Sequence, residues 1–182
     1  MKIIGITGTL GAGKGTIVDF LVKTKAFNHF SVRQYLIKEL ERLHQPVNRD
    51  SMMILANHLR SQNSPAFIAE ELYNLALSSG RDSVIESIRT VGEIKLLHSK
   101  GNFRLFAVDA SPEIRYQRIL IRNSETDQVS FETFLNNENR EMDSVDLNHQ
   151  NLRKCIEMAD AIFQNNGTVE DLLTQVENEL SK

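Results

Sequence analysis

Short apolar runs alternate with amphipathic segments along most of the chain. The stretches that predict strands are residues 3–6, 27–30, 83–86, 103–109 and 160–164. Between them, apolar residues recur every three or four positions, and this spacing predicts helices with one apolar face. Apolar strands that alternate with amphipathic helices are typical of a parallel sheet covered on both faces. The pattern therefore predicts an α/β fold, and we expect residues 1–182 to form a single domain.

Capping and breaking residues indicate where the helices begin and end. Ser31 heads a capping-box pattern and predicts a helix directly after the second strand. Another helix is predicted at about 51–61, and Ser64-Pro65 is expected to begin a further one that ends at Gly80. The remaining predicted helices begin near residue 14 or span about 111–122, 131–142, 152–158 and 168–180.

Residues 8–16 read Gly-Thr-Leu-Gly-Ala-Gly-Lys-Gly-Thr and separate the first predicted strand from a predicted helix. Strand, glycine-rich turn and helix form the context of a phosphate-binding loop. The glycines at 8, 11, 13 and 15 permit positive φ angles, so that backbone N–H groups can converge on an anion. The predicted nucleotide-binding residues are Gly8, Leu10, Gly11, Ala12, Gly13, Lys14, Gly15 and Thr16. The alternative is a glycine-rich turn that binds nothing.

Two side chains of this loop are suited to phosphate chemistry. The Lys14 ammonium group can reach β- and γ-phosphates, and the first turn of the helix adds free N–H donors and the positive end of its dipole. Gly15 stands where the common pattern has a hydroxyl residue, so the hydroxyl belongs to Thr16, which we expect at phosphate or Mg²⁺. The loop therefore predicts a site for a nucleoside triphosphate, with Lys14 also in a catalytic role.

A second candidate stretch, residues 86–93, follows the third predicted strand and is expected to be a loop. Parallel sheets bind ligands at the carboxyl ends of their strands, so this loop should lie beside the phosphate loop. Arg89 offers a planar fork for a phosphate on a second substrate. Glu86 is a candidate for holding Mg²⁺-bound water or for accepting a proton from a substrate hydroxyl. The alternative is a structural ion pair between Arg89 and Glu86 or Glu93.

A third group of candidates follows the fourth strand. Arg115, Arg118 and Arg122 lie on one predicted helix, and the last two share a helix face. They lead into residues 123–127, which have the polarity and position of a lid. An arginine delivered to the transferring phosphoryl group contributes roughly 10³–10⁵ in rate, so Arg118 and Arg122 are catalytic candidates. Arg140 is a further candidate on the far side of the lid. The alternative is a solvated basic helix face.

Two other regions are weaker candidates. Asn166 and Gly167 follow the last strand and are expected to wall a base-binding pocket, although any strand-to-helix turn looks similar. Arg33, Arg49 and Arg60 lie between the second and third strands, where they can bind a phosphorylated acceptor. The alternative for each of these arginines is an ordinary surface position.

Composition argues against several classes of protein. The net charge of −3 provides no basic field for nucleic acid, and no apolar run approaches the length of a membrane span. The chain begins with a strand, without the pattern of a signal peptide, and Cys155 is the only cysteine, which indicates a reducing compartment. The histidines lack metal-ligand spacing, so we expect no zinc site. We expect a cytoplasmic enzyme without nucleic-acid or membrane partners, and the oligomeric state is not indicated.

Together these stretches resemble a P-loop kinase family that includes adenylate-kinase-related proteins, dephospho-coenzyme A kinases and deoxynucleoside-monophosphate kinases. Gly-Lys-Gly-Thr is the adenylate-kinase form of the loop, Glu-Ser-Ile-Arg at 86–89 is similar to the family's Asp-x-x-Arg, and the Asn-x-Gly-Thr ending is similar to that of dephospho-coenzyme A kinases. The resemblance implies a three-layer P-loop NTPase fold with a five-stranded parallel sheet of order 2-3-1-4-5 and helices on both faces. It also implies an acceptor-binding insert at about 31–80, a small lid at about 118–142 and acceptor-phosphate binding by Arg89.

The residues and the resemblance predict an ATP- and Mg²⁺-dependent kinase. It would transfer the γ-phosphoryl group to a nucleotide-like, phosphate-bearing acceptor: a nucleoside monophosphate, a deoxynucleoside monophosphate or dephospho-coenzyme A. The alternative from another class is a nucleotide-dependent switch or regulatory NTPase without a small-molecule acceptor. A GTPase is disfavoured, because the chain has no Asn-Lys-x-Asp segment for reading guanine.

Overall fold

A five-stranded parallel sheet forms the centre of the computed structural model, which describes residues 1–122, 128–144, 146 and 149–182. The strands are β1 (Ile3–Gly8), β2 (Asn28–Ser31), β3 (Ser83–Glu86), β4 (Phe103–Asp109) and β5 (Ala161–Gln164). Their order across the sheet is β2-β3-β1-β4-β5, and every adjacent pair is parallel. The predicted α/β fold class and strand order are confirmed.

Helices cover the sheet and fill the connections between its strands. They are α1 (Lys14–Lys23), α2 (Val32–Arg42), α3 (Arg49–Gln62), α4 (Phe67–Ser79), α5 (Val91–Ser99), α6 (Pro112–Arg122), α7 (Phe131–Met142), α8 (Leu152–Glu157) and α9 (Val169–Leu180). Three of them, α2 to α4, connect β2 to β3, and α6 to α8 connect β4 to β5. The predicted lid loop at 123–127 lies outside the described residues. Within the described part of the chain, no helix has the length and apolar character needed to span a membrane.

The central strand β1 shows how the three layers form. All six of its residues are buried. Ile3 belongs to a core cluster with apolar residues of α2, α3, α4, α5 and α8, whereas Ile4 and Ile6 belong to a second cluster with residues of α1 and α9. Successive side chains of a strand point to opposite faces of the sheet, so an apolar run covers both faces with helices.

The start of α4 differs from its prediction. Ala66 is the N-cap and Phe67 the first helical residue, so the predicted start at Ser64-Pro65 is wrong. Pro65 packs instead against Gly92 of α5, where a Cβ on the glycine would lie 2.6 Å from the Pro65 Cβ. A tertiary contact has overridden the local start signal.

A helix also occupies part of a predicted loop. The expectation of a loop over 86–93 is wrong for residues 91–93, which form the first turn of α5. The Thr90 hydroxyl accepts from the Glu93 N–H at 3.2 Å, and the Glu93 carboxylate accepts from the Thr90 N–H at 3.0 Å. This reciprocal cap brings Glu93 into the core, where it is fully buried.

Candidate active site

The phosphate loop connects β1 to α1 and needs glycine at defined points. Gly11 has a φ of 79° and Gly13 a φ of 110°, both in the left-handed region. A Cβ on Gly11 would lie 2.6 Å from the Arg115 carbonyl oxygen, and one on Gly13 would lie 2.4 Å from Nδ2 of Asn165. Both the backbone conformation and the packing therefore exclude a side chain at these two positions.

Gly15 differs from the other loop glycines. It is exposed in the first turn of α1 and is not among the residues of positive φ. Among the described residues, no atom lies within 4 Å of a Cβ built at this position. The prediction that Gly15 permits a positive φ is therefore wrong.

Lys14 is the first residue of α1, and its ammonium group is surrounded by protein. Nζ donates hydrogen bonds to the carbonyl oxygens of Gly8 and Thr9, each at 2.8 Å. The pKa of Lys14 is lowered from 10.5 to about 7. Burial is the largest cause, and the positive charge of Arg89 is the next. Both effects disfavour a charged lysine when no anion is close, so a bound phosphate would restore the charge.

The groups that act on Lys14 show which predicted residues the fold brings together. Arg89 and Arg122 lower the pKa of Lys14, whereas Glu86 and Glu141 raise it. Lys14 comes from the phosphate loop, Glu86 and Arg89 from the stretch after β3, and Arg122 from the end of α6. Glu141 of α7 was not predicted. Three of the predicted catalytic residues are thus within electrostatic range of Lys14.

Arg115 of α6 contacts the phosphate loop. Its exposed fraction is 2%, so the alternative of a solvated helix face is wrong for this residue. Nε donates to the Ala110 carbonyl at 2.7 Å and Nη1 to the Leu10 carbonyl at 3.3 Å. Both terminal nitrogens also pair with the Glu138 carboxylate of α7. The Arg115 guanidinium therefore joins the loop, the end of β4 and α7.

Arg118 is linked to the phosphate loop through Asn165. Its Nη2 donates to Asn165 Oδ1 at 3.3 Å, and Asn165 Nδ2 donates to the Ala12 carbonyl at 2.7 Å. Nη1 of Arg118 is buried and has no hydrogen-bond partner among the described residues. A buried donor without a partner is unfavourable, so Nη1 of Arg118 is the group of this residue that a ligand could stabilise.

The turn after β5 contributes to the site through a residue that was not predicted. Oδ1 of Asn166 accepts a hydrogen bond from the Ser111 N–H at 2.8 Å. Gly167 lies against Asp171, whose Oδ2 would be 2.7 Å from a Cβ on the glycine. Asn165 is the residue of this turn that binds the phosphate loop. Its sequence signals were its place in a polar turn and its place as the first residue of the Asn-x-Gly-Thr ending.

Asp109 is a second unpredicted residue next to the loop. It is the last residue of β4, and its Oδ1 accepts from Thr9 Oγ1 at 2.5 Å and from the Ala110 N–H at 2.9 Å. β4 pairs with β1, so the ends of the two strands lie side by side. The sequence did carry a signal for Asp109, namely an acidic residue at the carboxyl end of a strand beside the phosphate loop.

The predicted metal ligands are one hydroxyl and one carboxylate, which are compatible with a Mg²⁺ ion that also binds substrate phosphates. In the described ranges, no group of three or more His, Cys, Asp or Glu side chains is arranged to hold a metal ion. Mg²⁺ usually keeps several waters and binds through one or two carboxylates and substrate phosphates. The predicted Mg²⁺ ligands are the Thr16 hydroxyl, in the first turn of α1, and the Glu86 carboxylate, at the end of β3.

The side chains of Glu86 and Arg89 each pair with residues outside the segment 86–93. Oε2 of Glu86 lies 3.1 Å from Nε2 of His29, and this hydrogen bond lowers the pKa of Glu86. Arg89 Nη1 donates to Oε2 of Glu141 at 2.6 Å and to Oε1 of Gln150 at 3.1 Å. The alternative that Arg89 forms a side-chain ion pair within its own segment is therefore wrong. Arg89 pairs with α7.

A cavity of ≈ 220 Å³ lies between the phosphate loop, Arg89 and the α2–α3 pair. Its apolar wall consists of Val32, Leu36, Met52, Met53 and Ala56. Arg33, Arg60 and Arg89 also line it. Arg60 is buried, so the alternative of a surface position is wrong for this arginine. The cavity combines an apolar wall with three cationic side chains.

Two further arginine predictions have different outcomes. The side chain of Arg49 lies outside the described part of the structure. Arg140 lines a neighbouring cavity of ≈ 480 Å³, which shares Glu141 and Gln150 with the first one.

Sequence comparisons place the chain in a family. Residues 4–146 match the family model described as an AAA domain. The chain is 27% identical to a UPF0200 protein of Methanococcus maripaludis, in an alignment that covers all of this chain and 97% of the relative. It is 24% identical to a UPF0200 protein of Sulfurisphaera tokodaii, with the same coverage of both chains.

Solved structures share the fold at low sequence identity. Shikimate kinase from Bacteroides thetaiotaomicron matches with a TM-score of 0.60 and 14% identity, over 100% of this chain and 99% of that one. Dephospho-CoA kinase from Campylobacter jejuni matches with a TM-score of 0.53 and 15% identity, over 99% of this chain and 96% of that one. These likenesses show the fold, and with the family match they confirm the predicted resemblance to P-loop, nucleoside-monophosphate-kinase-like proteins. Since the family model covers well over half of its residues, the chain belongs to the AAA domain family.

Proposed function

We propose that the protein is an ATP- and Mg²⁺-dependent kinase acting on a nucleotide-like acceptor that carries a phosphate. The acceptor would be a nucleoside monophosphate, a deoxynucleoside monophosphate or dephospho-coenzyme A. The observation that carries this proposal is the position of the ≈ 220 Å³ cavity, which is lined both by Leu10 of the phosphate loop and by Arg89. A triphosphate on the loop and an acceptor in this cavity would therefore meet near Lys14. Kinase structures with the same fold support the assignment.

On the donor side, the loop N–H groups and Lys14 hold the triphosphate. The partly desolvated Lys14 gains its full charge as the phosphates approach, and Thr16 lies at phosphate or metal. Arg118 offers Nη1, a buried donor with no partner among the described residues, to the transferring group. Arg122 adds positive charge from the end of α6. Thr16 and Glu86 would hold Mg²⁺, which when bound would neutralise charge that develops on the phosphate oxygens.

On the acceptor side, Arg89 binds the acceptor phosphate in place of the Glu141 carboxylate that it contacts now. The acceptor hydroxyl oxygen then attacks the γ-phosphorus while the bond to the β–γ bridging oxygen breaks and ADP leaves. Glu86 is kept ionised by its hydrogen bond with His29, so it can take the hydroxyl proton or orient the nucleophile.

We further propose that residues 1–182 act as one unit. The α2–α3 pair supplies the apolar wall of the cavity, which supports an acceptor-binding role for the segment 31–80. Glu138 and Glu141 connect α7 to Arg115 and Arg89, which supports a lid at about 118–142. A cytoplasmic location is supported by the single, buried Cys155.

The test is phosphate transfer from ATP with Mg²⁺ across a panel of acceptors, with ADP formation as the readout. The panel holds AMP, CMP, UMP, GMP, their deoxy forms, dephospho-coenzyme A and, as a phosphate-free control, adenosine. We expect one phosphate-bearing acceptor to stimulate ADP formation strongly, and Lys14→Ala to abolish the stimulation.

Slow ATP loss that no acceptor changes would contradict the kinase assignment. That result would favour the alternative of a switch or regulatory NTPase. Equal turnover by wild type and Lys14→Ala would contradict both functions.

A further inference from the structure

Arg60 of α3 is buried in the wall of the acceptor cavity. Its exposed fraction is 4%, and its Nη2 donates to Oε1 of Glu93 at 2.8 Å. Nε of the same guanidinium is buried and has no hydrogen-bond partner among the described residues. Nearly all buried N–H groups are paired in folded proteins, so an unpaired one in a residue that lines a cavity calls for an explanation.

Glu93 holds Arg60 in a fixed position relative to Arg89. Its side chain is fully buried, and its Oε2 accepts from the main-chain N–H groups of Arg89 at 2.9 Å and Thr90 at 3.0 Å. One carboxylate therefore fixes both the Arg60 guanidinium and the backbone that carries Arg89. Through these contacts, Glu93 links the insert helix α3 to the segment after β3.

A buried ion pair of this kind is not explained by stability. The desolvation of two charges often exceeds their mutual attraction, and apolar side chains of similar volume often stabilise a protein equally well. Arg60 shares its cavity with Met52 and Ala56, which belong to the same helix. An arginine in this apolar wall is therefore a candidate for recognising a ligand, with its guanidinium held in advance.

The charge around the cavity favours an anion. Of the residues that the structure describes, Arg33, Arg60 and Arg89 line it together with one carboxylate, that of Glu141. Glu93 pairs with Arg60 and offsets its charge. Even with Glu93 included, these side chains carry more positive than negative charge. An apolar wall beside fixed cations fits a ligand with an apolar or planar body and an oxyanion.

We propose that Arg60 is an acceptor-binding residue: its guanidinium, positioned by Glu93, donates hydrogen bonds to an oxyanion of the acceptor while the acceptor body lies against Met52 and Ala56. The oxyanion is a phosphate or a carboxylate. This inference deepens the proposed kinase function. The identification of the ligand as the acceptor rests on that function, whereas the binding of an anion at Arg60 does not.

The binding test observes Arg60 directly. In ¹H–¹⁵N spectra of the full chain, the Arg60 Nε–Hε resonance is assigned by its loss in Arg60→Lys. AMP, inorganic phosphate and acetate are titrated separately, each in matched ionic strength. We expect saturable shifts of this resonance with AMP and phosphate. Saturable shifts with acetate alone would instead assign the oxyanion as a carboxylate. If the resonance does not move with any of the three, the proposal is wrong.

The kinetic test uses the acceptor that the panel identifies. Arg60→Lys keeps the positive charge and removes the planar fork, so we expect the acceptor KM to rise about 10- to 100-fold with kcat changed far less. Arg42→Lys, an exposed arginine of α2 paired with Glu39, is the matched control and should leave both constants unchanged. Thermal unfolding of each variant separates loss of fold from loss of binding.

The two hypotheses fail in different ways. Wild-type activity that depends on an acceptor, with an unchanged acceptor KM in Arg60→Lys, would overturn the role of Arg60 and keep the kinase. A saturable shift of the Arg60 resonance without any acceptor-dependent turnover would support the anion site and overturn the kinase. A fall in kcat with KM constant would also overturn the binding role.

Discussion

Arg115 and Glu138 form a two-armed ion pair between α6 and α7. Nη2 donates to Oε1 at 2.9 Å, and Nη1 contacts Oε2. The same guanidinium donates to the Leu10 carbonyl of the phosphate loop at 3.3 Å. The pair therefore fixes a helix of the proposed lid to the loop that would hold the nucleotide.

Removal of Glu138 should strongly destabilise the protein. In Glu138→Ala the buried Arg115 guanidinium loses its two-armed carboxylate partner and keeps Asp109, whose Oδ1 lies 3.6 Å from Nε. Breaking a buried pair costs up to about 3–5 kcal/mol of unfolding free energy, and Asp109 should hold the loss toward the lower end of that range. Urea unfolding followed by circular dichroism measures the loss. Glu132→Ala, an exposed position in the first turn of α7, is the control and should change stability by about 0.5 kcal/mol or less. Equal losses in the two variants would contradict the structural role of the pair.

Nucleotide binding should take up a proton at Lys14. The pKa of Lys14 is lowered to about 7, and the negative phosphates must raise it in the complex. At pH 8 most of the free lysine is neutral, so binding should take up about 0.9 proton, and ATP affinity should fall as pH rises above 7. Titration calorimetry at pH 8, in buffers of different ionisation enthalpy, measures the uptake.

The matched variant for this measurement is Lys14→Arg. A guanidinium stays charged throughout this pH range, so residual ATP binding should proceed without proton uptake. Proton uptake that persists in Lys14→Arg would assign the titration to another group and contradict the lowered pKa of Lys14.

Gly13 and Gly15 should respond in opposite directions to alanine. Gly13→Ala puts a Cβ 2.4 Å from Asn165 Nδ2 at a φ of 110°, so we expect a loss of about 1–3 kcal/mol or more. Gly15→Ala meets open space in a helix and should stabilise the ligand-free protein by about 0.5–1 kcal/mol. Chemical denaturation of the two variants gives both values, and a destabilised Gly15→Ala would contradict the open space seen here.

Cys155 should be unreactive until the protein unfolds. Burial, and next the negative charge of Glu93, raise the pKa of the Cys155 thiol to about 12. At pH 8 the thiolate fraction is then about 10³-fold below that of a free cysteine, so alkylation by iodoacetamide should be slower by at least that factor. Mass spectrometry of native and urea-unfolded samples measures the ratio. Comparable rates would show that the thiol is accessible.

The strands and the phosphate loop were predictable because their signals are local. The run from Ile3 to Ile6 is apolar at every position except a glycine. The loop glycines that adopt positive φ have a backbone conformation that other residues rarely adopt. The first turn of α5 also had a local signal, Thr90 followed by Glu93, which is a capping box before an apolar spacing.

The partners of the charged residues were not predictable in the same way. Arg60 and Glu93 are 33 positions apart, and Arg89 and Glu141 are 52 apart. Which carboxylate meets which arginine depends on how helices of the insert and of the β4–β5 connection pack on the sheet. Burial of Arg115 likewise follows from the position of α7, which supplies Glu138.

The hydrogen bond from Asn165 to Ala12 has a consequence for biosynthesis. It joins residues 153 positions apart, and β5 and α9, which complete the core beside α1, are translated well after the phosphate loop. At a synthesis rate of 5–20 residues per second, a ribosome needs about 8–30 s to travel from Ala12 to Asn165. The phosphate loop therefore waits for its Asn165 contact until 153 further residues have been translated. We expect ATP to protect the released chain from proteolysis, and to give no protection to nascent chains stalled before Asn165.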